Sequence, residues 1–152
     1  MILLGKSMDE LREAAALLGL SVHGAARASD IAYLKLIEQG LPVTSLEKVA
    51  SAFAPSDASF KYAIIPKASL QRAASSSSRR LNSNQSVLLT RLASVWTQAR
   101  RIWKSDGSTR DFFFRAHPLL NSRRPVDLVL ENELGAQLVR SVLGRLEAGA
   151  AA

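Results

Sequence analysis

The chain has 152 residues, a length that suits one domain or two very small ones and excludes a large multidomain enzyme. Its apolar (47%) and charged (22%) fractions are close to globular averages and exclude wholesale disorder. The sequence contains no cysteine, which excludes a disulfide scaffold, a thiolate zinc site, an iron–sulfur cluster and a cysteine nucleophile.

Charge is distributed unevenly along the chain. The formal net charge is +7, yet residues 61–125 hold 13 basic and only 2 acidic side chains, and both flanking segments are slightly acidic. Ten of the 13 are arginines, whose planar guanidinium suits phosphate and carboxylate groups. The basic middle predicts either a surface for an acidic partner or an ordinary solvated face.

The first residues do not have the pattern of a secretory signal peptide. Met1–Leu4 runs directly into Gly5 and Lys6, without a basic segment followed by a long apolar one. No run of about 18 apolar residues occurs elsewhere. We therefore expect a soluble cytoplasmic protein with no signal peptide and no membrane-spanning helix.

Two short helices are predicted before residue 42. The capping-box spacing of Ser7–Glu10 starts the first helix, and Gly19 ends it. Ser29-Asp30 starts the second helix, and Gly40 and Pro42 end it. The residues predicted to face inward are Leu11, Ala14, Ala15 and Leu18 in the first helix, and Ile31, Leu34 and Ile37 in the second.

Two further short helices are predicted before residue 66. Thr44–Glu47 repeats the capping-box spacing and starts a helix that ends before Pro55. Ser56-Asp57 starts the next helix, which Pro66 ends. The residues predicted to face inward are Leu46, Val49, Ala50 and Phe53 in the former, and Phe60, Ala63 and Ile64 in the latter.

The break at Ile65-Pro66, followed by a helix from Lys67, is compatible with a helix-turn-helix. In such a unit the second helix rests its apolar side on the first and turns short polar and basic side chains to the DNA groove. Leu70 and Ala74 are predicted inward, and Ser69, Gln71 and Arg72 outward. Small helical bundles without DNA-binding activity show the same pattern, so the alternative of a purely structural pair stays open.

The longest predicted helix runs from Gln85 to Lys104, with Asn84 as its cap. One apolar stripe follows it over about five turns. The residues of this stripe are Leu88, Leu92, Val95, Trp96, Ala99, Ile102 and Trp103. The cations predicted to lie towards its polar side are Arg91, Arg100, Arg101 and Lys104, where either solvent or an acidic partner would meet them.

Asp106-Gly107 is predicted to form a turn, with Ser108 capping a short helix that carries Phe112–Phe114. Three consecutive phenylalanines cannot all face inward from one helix, because successive residues diverge by about 100°. At least one of them is therefore expected at an interface or under a neighbouring segment. Because so small a core is not expected to cover Trp96, Trp103 and this cluster, we also expect a dimer.

The last segment is predicted to hold a turn and two helices. His117-Pro118 ends the phenylalanine helix, Asn121-Ser122 forms a polar turn, and Pro125 takes the first position of a short helix. The final helix runs from Asn132 to Glu147. Its apolar residues are Leu134, Leu138, Val139, Val142, Leu143 and Leu146.

The sequence offers little catalytic chemistry. His23 and His117 are far apart and have no metal-ligand spacing, and no nucleophile-elbow, phosphate-loop or dinucleotide-binding motif occurs. Only Asp106 and Asp111 supply carboxylates to the basic middle. We therefore expect neither an enzyme, nor a metal site, nor a cofactor.

The C-terminal run from Phe112 to Leu128, followed by the segments 131–136 and 143–149, resembles the toxin-binding domain of Xre/MbcA/ParS-type antitoxins. Upstream, the segments 65–72 (IPKASLQR) and 81–86 (LNSNQS) look like the I-P-x-R-T-L-x-R-R and L-S-x-x-E-S segments of the same family. Ala68 and Ala73 stand where the family commonly carries arginine, Ala116 where it has proline, and Ser122 where it has glycine.

The resemblance implies an all-α fold, with an Xre-like helix-turn-helix bundle in residues 1–83 and a small helical toxin-binding domain in residues 84–152. Residues 1–28 lie outside the clear resemblance. It implies DNA contacts by Lys67, Ser69, Gln71, Arg72, Arg79 and Arg80. It implies toxin contacts by Phe112, Phe113, His117, Arg123, Arg124, Pro125, Glu131, Arg145, Glu147 and Gly149.

The resemblance also implies a function. Family members pair with a RES-domain toxin, an enzyme that degrades NAD⁺, and are thought to cover its active-site entrance and to repress their own promoter. A type II antitoxin of this kind, forming a homodimer inside a toxin–antitoxin hetero-oligomer, is the leading hypothesis. Two alternatives stay open: a stand-alone helix-turn-helix repressor with a C-terminal dimerisation module, and a helical adaptor for an unrelated acidic protein.

Overall fold

A computed structural model describes the backbone of residues 2–21 and 26–151 and the side chains of residues 9–21 and 30–149. His23 lies outside these residues. The described part forms nine α-helices and one short 3₁₀-helix, without a strand, which confirms the all-α prediction. In chain order the helices are α1 (Ile2–Leu17), α2 (Ala26–Gln39), α3 (Thr44–Phe53), α4 (Phe60–Ile64), α5 (Lys67–Ser75), α6 (Ser83–Trp103), α7 (Asp106–Phe114), the 3₁₀-helix (Pro118–Leu120), α8 (Pro125–Glu131) and α9 (Glu133–Ala151). None of the described helices is long and apolar enough to cross a bilayer.

Helix α6 runs through the centre of the fold. It contacts α1, α2, α3, α7, α8 and α9, and it is therefore buried around most of its circumference rather than along the single predicted stripe. Leu88, Ile102 and Trp103, which the stripe places inward, are only half-buried. The buried residues of α6 are Ser86, Leu89, Leu92, Ala93, Val95, Trp96, Thr97 and Ala99.

The predicted cap of α6 is wrong by two residues. Asn82, not Asn84, caps the helix: its side-chain oxygen accepts a hydrogen bond from the backbone N–H of Gln85 at 2.8 Å. The Gln85 side chain in turn accepts from the backbone N–H of Asn82 at 2.9 Å. This reciprocal pair satisfies two otherwise free donors, so it fixes where α6 begins.

Helix α1 is an ordered part of the fold although it precedes the residues that resemble the antitoxin family. It begins at Ile2, so the Ser7–Glu10 pattern lies inside it and does not start it. Its buried residues include Ala14, Ala15 and Leu18, as predicted, and it packs along α6. The α1–α6 contact is the most extensive between any two helices.

Helix α2 turns a different face to the core from the one predicted. Tyr33 is buried and Ile37 packs partly against the core, whereas Ile31 is 54% exposed and Leu34 is 50% exposed. The predicted face is therefore wrong for Ile31 and Leu34. Helix α2 meets α6 through positions 33 and 37, four residues apart and hence on one side of the helix.

Helix α3 follows the prediction in its core residues, whereas α4 begins at Phe60 and not at the predicted Ser56-Asp57. The four predicted core residues of α3 are all buried, but Val43 precedes the helix without a side-chain cap, so the Thr44–Glu47 capping box does not form. In α4, Phe60 and Ile64 are buried and Ala63 is exposed. Asp57 accepts hydrogen bonds from the backbone and the hydroxyl of Ser59, which lower the pKa of its carboxyl group.

Helix α7 buries two consecutive phenylalanines because each one faces a different neighbour. The ring of Phe113 lies 4.8 Å from Phe53 and 6.1 Å from Trp96, between centroids. The ring of Phe112 stacks on Trp103 at 4.8 Å. Phe112, Phe113 and Trp96 are covered within one chain, whereas Trp103 is half-buried. The predicted dimer stays a prediction. Ser105 rather than Ser108 caps α7, accepting from the Ser108 N–H at 3.2 Å.

The two predicted domains share one hydrophobic core. Buried side chains from α1 to α4 and from α6 to α9 form a single cluster. The predicted boundary between residues 83 and 84 falls in the first turn of α6, which serves both halves. The division at that point stays a prediction.

Candidate functional site

Helix α5 lies at the surface of the N-terminal half. Ile65 is buried and extended, and Pro66 directly precedes the helix, so the chain turns sharply between α4 and α5. No residue of α5 is buried; Leu70 and Ala73 pack partly against the core, and the predicted inward residue Ala74 is exposed. Two grooves border the helix, of about 540 Å³ and 350 Å³. Helix α5 therefore offers most of its surface to a partner.

The segment after α5 is held in place by the chain that follows α2. The Val43 N–H donates to the Arg79 carbonyl at 3.0 Å, and the Leu81 N–H donates to the Leu41 carbonyl at 2.8 Å. Arg79 adopts a left-handed backbone conformation, with φ +50°. The Arg80 guanidinium donates to the Gly40 carbonyl at 3.2 Å. Both arginines thus have fixed backbones and exposed side chains.

Glycine is required at position 40 for two reasons. Its φ of +96° lies in the left-handed region, which side chains rarely adopt. A Cβ there would also lie 2.3 Å from the Leu81 carbonyl oxygen. The close approach of these two segments is what places Arg79 and Arg80 beside α5.

The structure divides the basic residues of the middle segment into two groups. Residues 58–105 contain nine basic and no acidic side chains, so any carboxylate partner must come from elsewhere in the chain. Four cations find one: Lys61 with Glu47, Arg91 with Glu133, Arg100 with Asp106, and Arg101 with Glu10 and Glu13.

The cations predicted to bind DNA belong to the other group. Within the described part of the chain, Lys67, Arg72, Arg79 and Arg80 are exposed and no carboxylate lies within ion-pair distance of any of them. Arg72 donates to the Ser69 hydroxyl at 3.2 Å, and both residues line the larger groove. The other predicted DNA contact, Gln71, is exposed on the same helix. The structure therefore gathers all six predicted residues on α5 and the segment after it.

In the C-terminal half, His117 organises the loop between α7 and α8. Its Nδ1 accepts from the Leu119 N–H at 3.2 Å and so caps the 3₁₀-helix. Its backbone N–H donates to the Arg123 carbonyl at 3.1 Å, which closes the loop. Asn121 and Ser122 make the turn, both with a left-handed backbone at φ +54° and +59°. His117 is thus a half-buried structural residue of the loop as well as a predicted contact.

Arg123 and Arg124 project from the end of this loop, and each is paired within the chain. Arg123 pairs with Glu131 across α8. Arg124 forms two hydrogen bonds of 2.9 Å to the carboxylate of Asp127, which raise the pKa of its guanidinium. Its guanidinium carbon also lies 5.6 Å above the centre of the Phe114 ring. Both arginines remain about half exposed, with further N–H donors available to a partner.

Three predicted toxin contacts are buried within the chain. Phe112, Phe113 and Pro125 are buried, because Phe112 and Phe113 fill the core described above and Pro125 forms the first turn of α8. As toxin contacts they stay predictions. Above Phe112 lies an open groove of about 420 Å³. It is lined by Trp103, Ser108, Asp111, Phe112, Arg115, Ala116, His117 and Leu146.

The segment Asn132–Ala136, which forms part of the resemblance, holds α9 in place against α6 and α8. Asn132 accepts from the Gly135 N–H at 2.8 Å and so starts α9. Glu133 pairs with Arg91 of α6 at 3.1 Å and with Arg140 of α9 at 2.9 Å. A Cβ on Gly135 would lie 2.0 Å from the Leu128 carbonyl oxygen, so only glycine lets α9 pack this closely on α8.

The C-terminal end of α9 carries three predicted toxin contacts. Arg145 and Gly149 are exposed, and Glu147 is half-buried. A Cβ on Gly149 would meet nothing within 4 Å, so the fold itself does not require glycine there. Leu134 and Leu138, two apolar residues of the predicted final helix, are exposed on the same helix. The core of α9 is built instead by positions 135, 136, 139, 142 and 143.

The described residues contain no group of three or more histidine or acidic side chains that could hold a metal ion. The features that remain are an exposed helix with unpaired cations and a helical surface with exposed leucines and arginines. Both are suited to binding macromolecules.

Two family models match the chain. The Antitoxin Xre-like helix-turn-helix domain matches residues 32–94, which include α3, α4, α5 and the unpaired cations. The Antitoxin Xre/MbcA/ParS C-terminal toxin-binding domain matches residues 98–149, from the end of α6 to α9. No curated protein matches the chain. Because the two matches follow each other in this order and together cover about three quarters of its length, the chain belongs to the Xre/MbcA/ParS-type antitoxins.

Proposed function

We propose that this chain is a type II antitoxin that neutralises a RES-domain, NAD⁺-degrading toxin by covering its active-site entrance. The family assigns the chain a toxin-binding domain and a helix-turn-helix; the RES-domain partner follows from the resemblance described above. The observation that carries the proposal is the exposed C-terminal half of α9, within the residues matched as toxin-binding, where Arg145 and Gly149 face outward. We infer no catalytic activity of the chain itself.

Arg123 and Arg124 contribute to the same toxin contact. Their pairing with Glu131 and Asp127 holds both guanidinium groups against α8, and each retains N–H donors for a toxin carboxylate or a phosphate-binding position. Pairing inside the chain lowers the entropy lost on binding, because the side chains are already oriented.

Repression of the antitoxin's own promoter is the second half of the proposal. Four cations lie on or directly after an exposed helix and lack carboxylate partners among the described residues: Lys67, Arg72, Arg79 and Arg80. Phosphate groups of the DNA would neutralise their charges. Helix-turn-helix proteins read two half-sites as dimers, and we propose that a homodimer within the toxin–antitoxin complex binds the operator.

Co-expression with a RES-domain protein, if one is encoded in the adjacent gene, tests the proposal. We expect the two proteins to co-purify and cellular NAD⁺ to be preserved, whereas the RES-domain protein alone depletes NAD⁺. Continued NAD⁺ loss without a complex would contradict the proposed toxin. A chain that nevertheless binds its promoter tightly would then be a stand-alone repressor.

A double variant sharpens the assignment of the surface. Arg123→Ala with Arg124→Ala is expected to weaken neutralisation at least about tenfold, because two guanidinium groups leave the contact. Arg100→Ala is the matched control, since Arg100 is a similarly exposed arginine paired with Asp106. Undiminished neutralisation by the double variant would remove both arginines from the toxin contact.

A further inference from the structure

The outer side of α9 carries a continuous ridge. Leu134 is 66% exposed and Leu138 is 48% exposed, and Ser141 and Arg145 are exposed in line with them. We name these four residues the α9 ridge. Their spacing (i, i+4, i+7, i+11) places them on one side of a helix over about 16 Å.

The fold does not use the ridge. The buried residues of α9 lie on the opposite side, where they contact α6 and α8. About half or more of each leucine stays open to solvent, although burial would remove two large apolar side chains from water.

Arg145 differs from the other arginines around it. Every other arginine in the match to the toxin-binding domain has a carboxylate of the chain within ion-pair distance. Arg145 has none among the described residues. Exposed leucines beside an unpaired arginine are typical of a surface that binds a protein, since arginine is enriched at interfaces and apolar anchors provide most of the binding energy.

We propose that the α9 ridge docks into an apolar groove on the toxin, with a toxin carboxylate opposite Arg145. This inference rests on the proposed function, since the toxin is the occupant. Two leucines one turn apart on a helix are the usual anchors of a helix bound in a groove. All four ridge residues lie within the match to the toxin-binding domain, which favours the toxin over a second copy as the occupant.

The test compares two pairs of exposed apolar residues in the complex with the RES-domain protein encoded in the adjacent gene. Leu134→Gln with Leu138→Gln keeps good helix formers and is expected to weaken toxin binding about a hundredfold in calorimetric titration. Ile31→Gln with Leu34→Gln is the matched control on α2, equally exposed and outside the toxin-binding match. It is expected to change the affinity less than about threefold.

Each outcome has a distinct meaning. Thermal melting within about 3 °C of the wild type shows that both double variants fold, because all four positions are exposed. A ridge variant that binds the toxin as tightly as the wild type overturns the ridge as the contact and leaves the proposed function intact. A ridge variant that loses only self-association, measured by light scattering, assigns the ridge to a second copy. A wild-type chain that does not bind the RES-domain protein overturns both proposals.

Discussion

The cations predicted to bind DNA and the arginines of the toxin-binding half differ in how they are paired. In the helix-turn-helix half, Lys67, Arg72, Arg79 and Arg80 have no carboxylate partner among the described residues. In the toxin-binding half, the arginines are paired within the chain, from Arg100 with Asp106 to Arg140 with Glu133, and only Arg145 departs from this rule.

This difference separates two kinds of recognition. Unpaired cations attract a phosphate backbone over a distance and gain affinity by releasing its counterions. Paired arginines contribute little long-range attraction, but they hold loops and helices in a fixed shape that a protein partner can fit. The same side chain, arginine, would therefore serve DNA attraction in one half and rigid shape in the other.

The largest expected effect comes from removing the unpaired cations. Arg72→Ala with Arg79→Ala and Arg80→Ala is expected to weaken binding to the chain's own promoter DNA by about a hundredfold or more, and to reduce the salt slope of binding by about 3 per protomer. Toxin binding should be unchanged. The measurement is fluorescence anisotropy with promoter DNA at several salt concentrations.

The matched control for this variant removes the same charge from the other half. Arg100→Ala with Arg123→Ala and Arg124→Ala removes three paired arginines. DNA affinity that falls equally in both triple variants would show that total charge, rather than the position of the unpaired cations, determines binding.

A smaller effect, on the stability of the fold, is expected from a substitution that disturbs the packing of α9 on α8. Gly135→Ala places a methyl group 2.0 Å from the Leu128 carbonyl, which belongs to the backbone and cannot move aside cheaply. We expect a loss of about 2 kcal/mol in the free energy of unfolding and a fall in Tm of several degrees.

Gly144→Ala in the same helix is the control for Gly135→Ala. A Cβ there meets nothing within 4 Å, so the change should stabilise the protein by up to about 1 kcal/mol. Equal melting temperatures for the two variants would mean that α9 does not pack on α8 as described.

The smallest effect concerns the start of α6, the helix shared by the two halves. Asn82→Ala removes the side-chain half of the capping box and should cost about 1 kcal/mol of stability in urea unfolding. Asn84→Ala, two residues along, should be nearly neutral because Asn84 caps nothing. A larger loss of stability for Asn84→Ala than for Asn82→Ala would show that Asn84 caps α6, as the sequence alone suggested.

The sequence alone predicted helix positions better than helix faces. The core residues of α3 were predicted correctly, because α3 is a surface helix with a single buried side. Helix α6 is surrounded by other helices, so its buried residues do not follow one stripe. Leu134 and Leu138 have the spacing of core residues, and nothing in a one-dimensional pattern distinguishes a face that packs on the chain from one left open to a partner.

Ion pairs were the least predictable part of the candidate site. Arg101 meets Glu10 across 91 positions of sequence, and Arg91 meets Glu133 across 42. Such pairs depend on how the helices pack, which local patterns do not record. The resemblance named the segments that matter, and the structure then separated architectural residues such as Asn132 and Gly135 from exposed ones such as Arg145.

Salt dependence tests most directly whether the two halves use charge differently. The wild-type chain would be titrated with its promoter DNA and with the adjacent RES-domain protein, each at about 50 and 200 mM salt. We expect the affinity of the homodimer for DNA to fall about ten-thousandfold, since two protomers neutralise about eight phosphates. We expect toxin affinity to fall less than about threefold, because most arginines of that half are paired within the chain. A toxin complex that weakens as steeply as the DNA complex would contradict this division between the two halves.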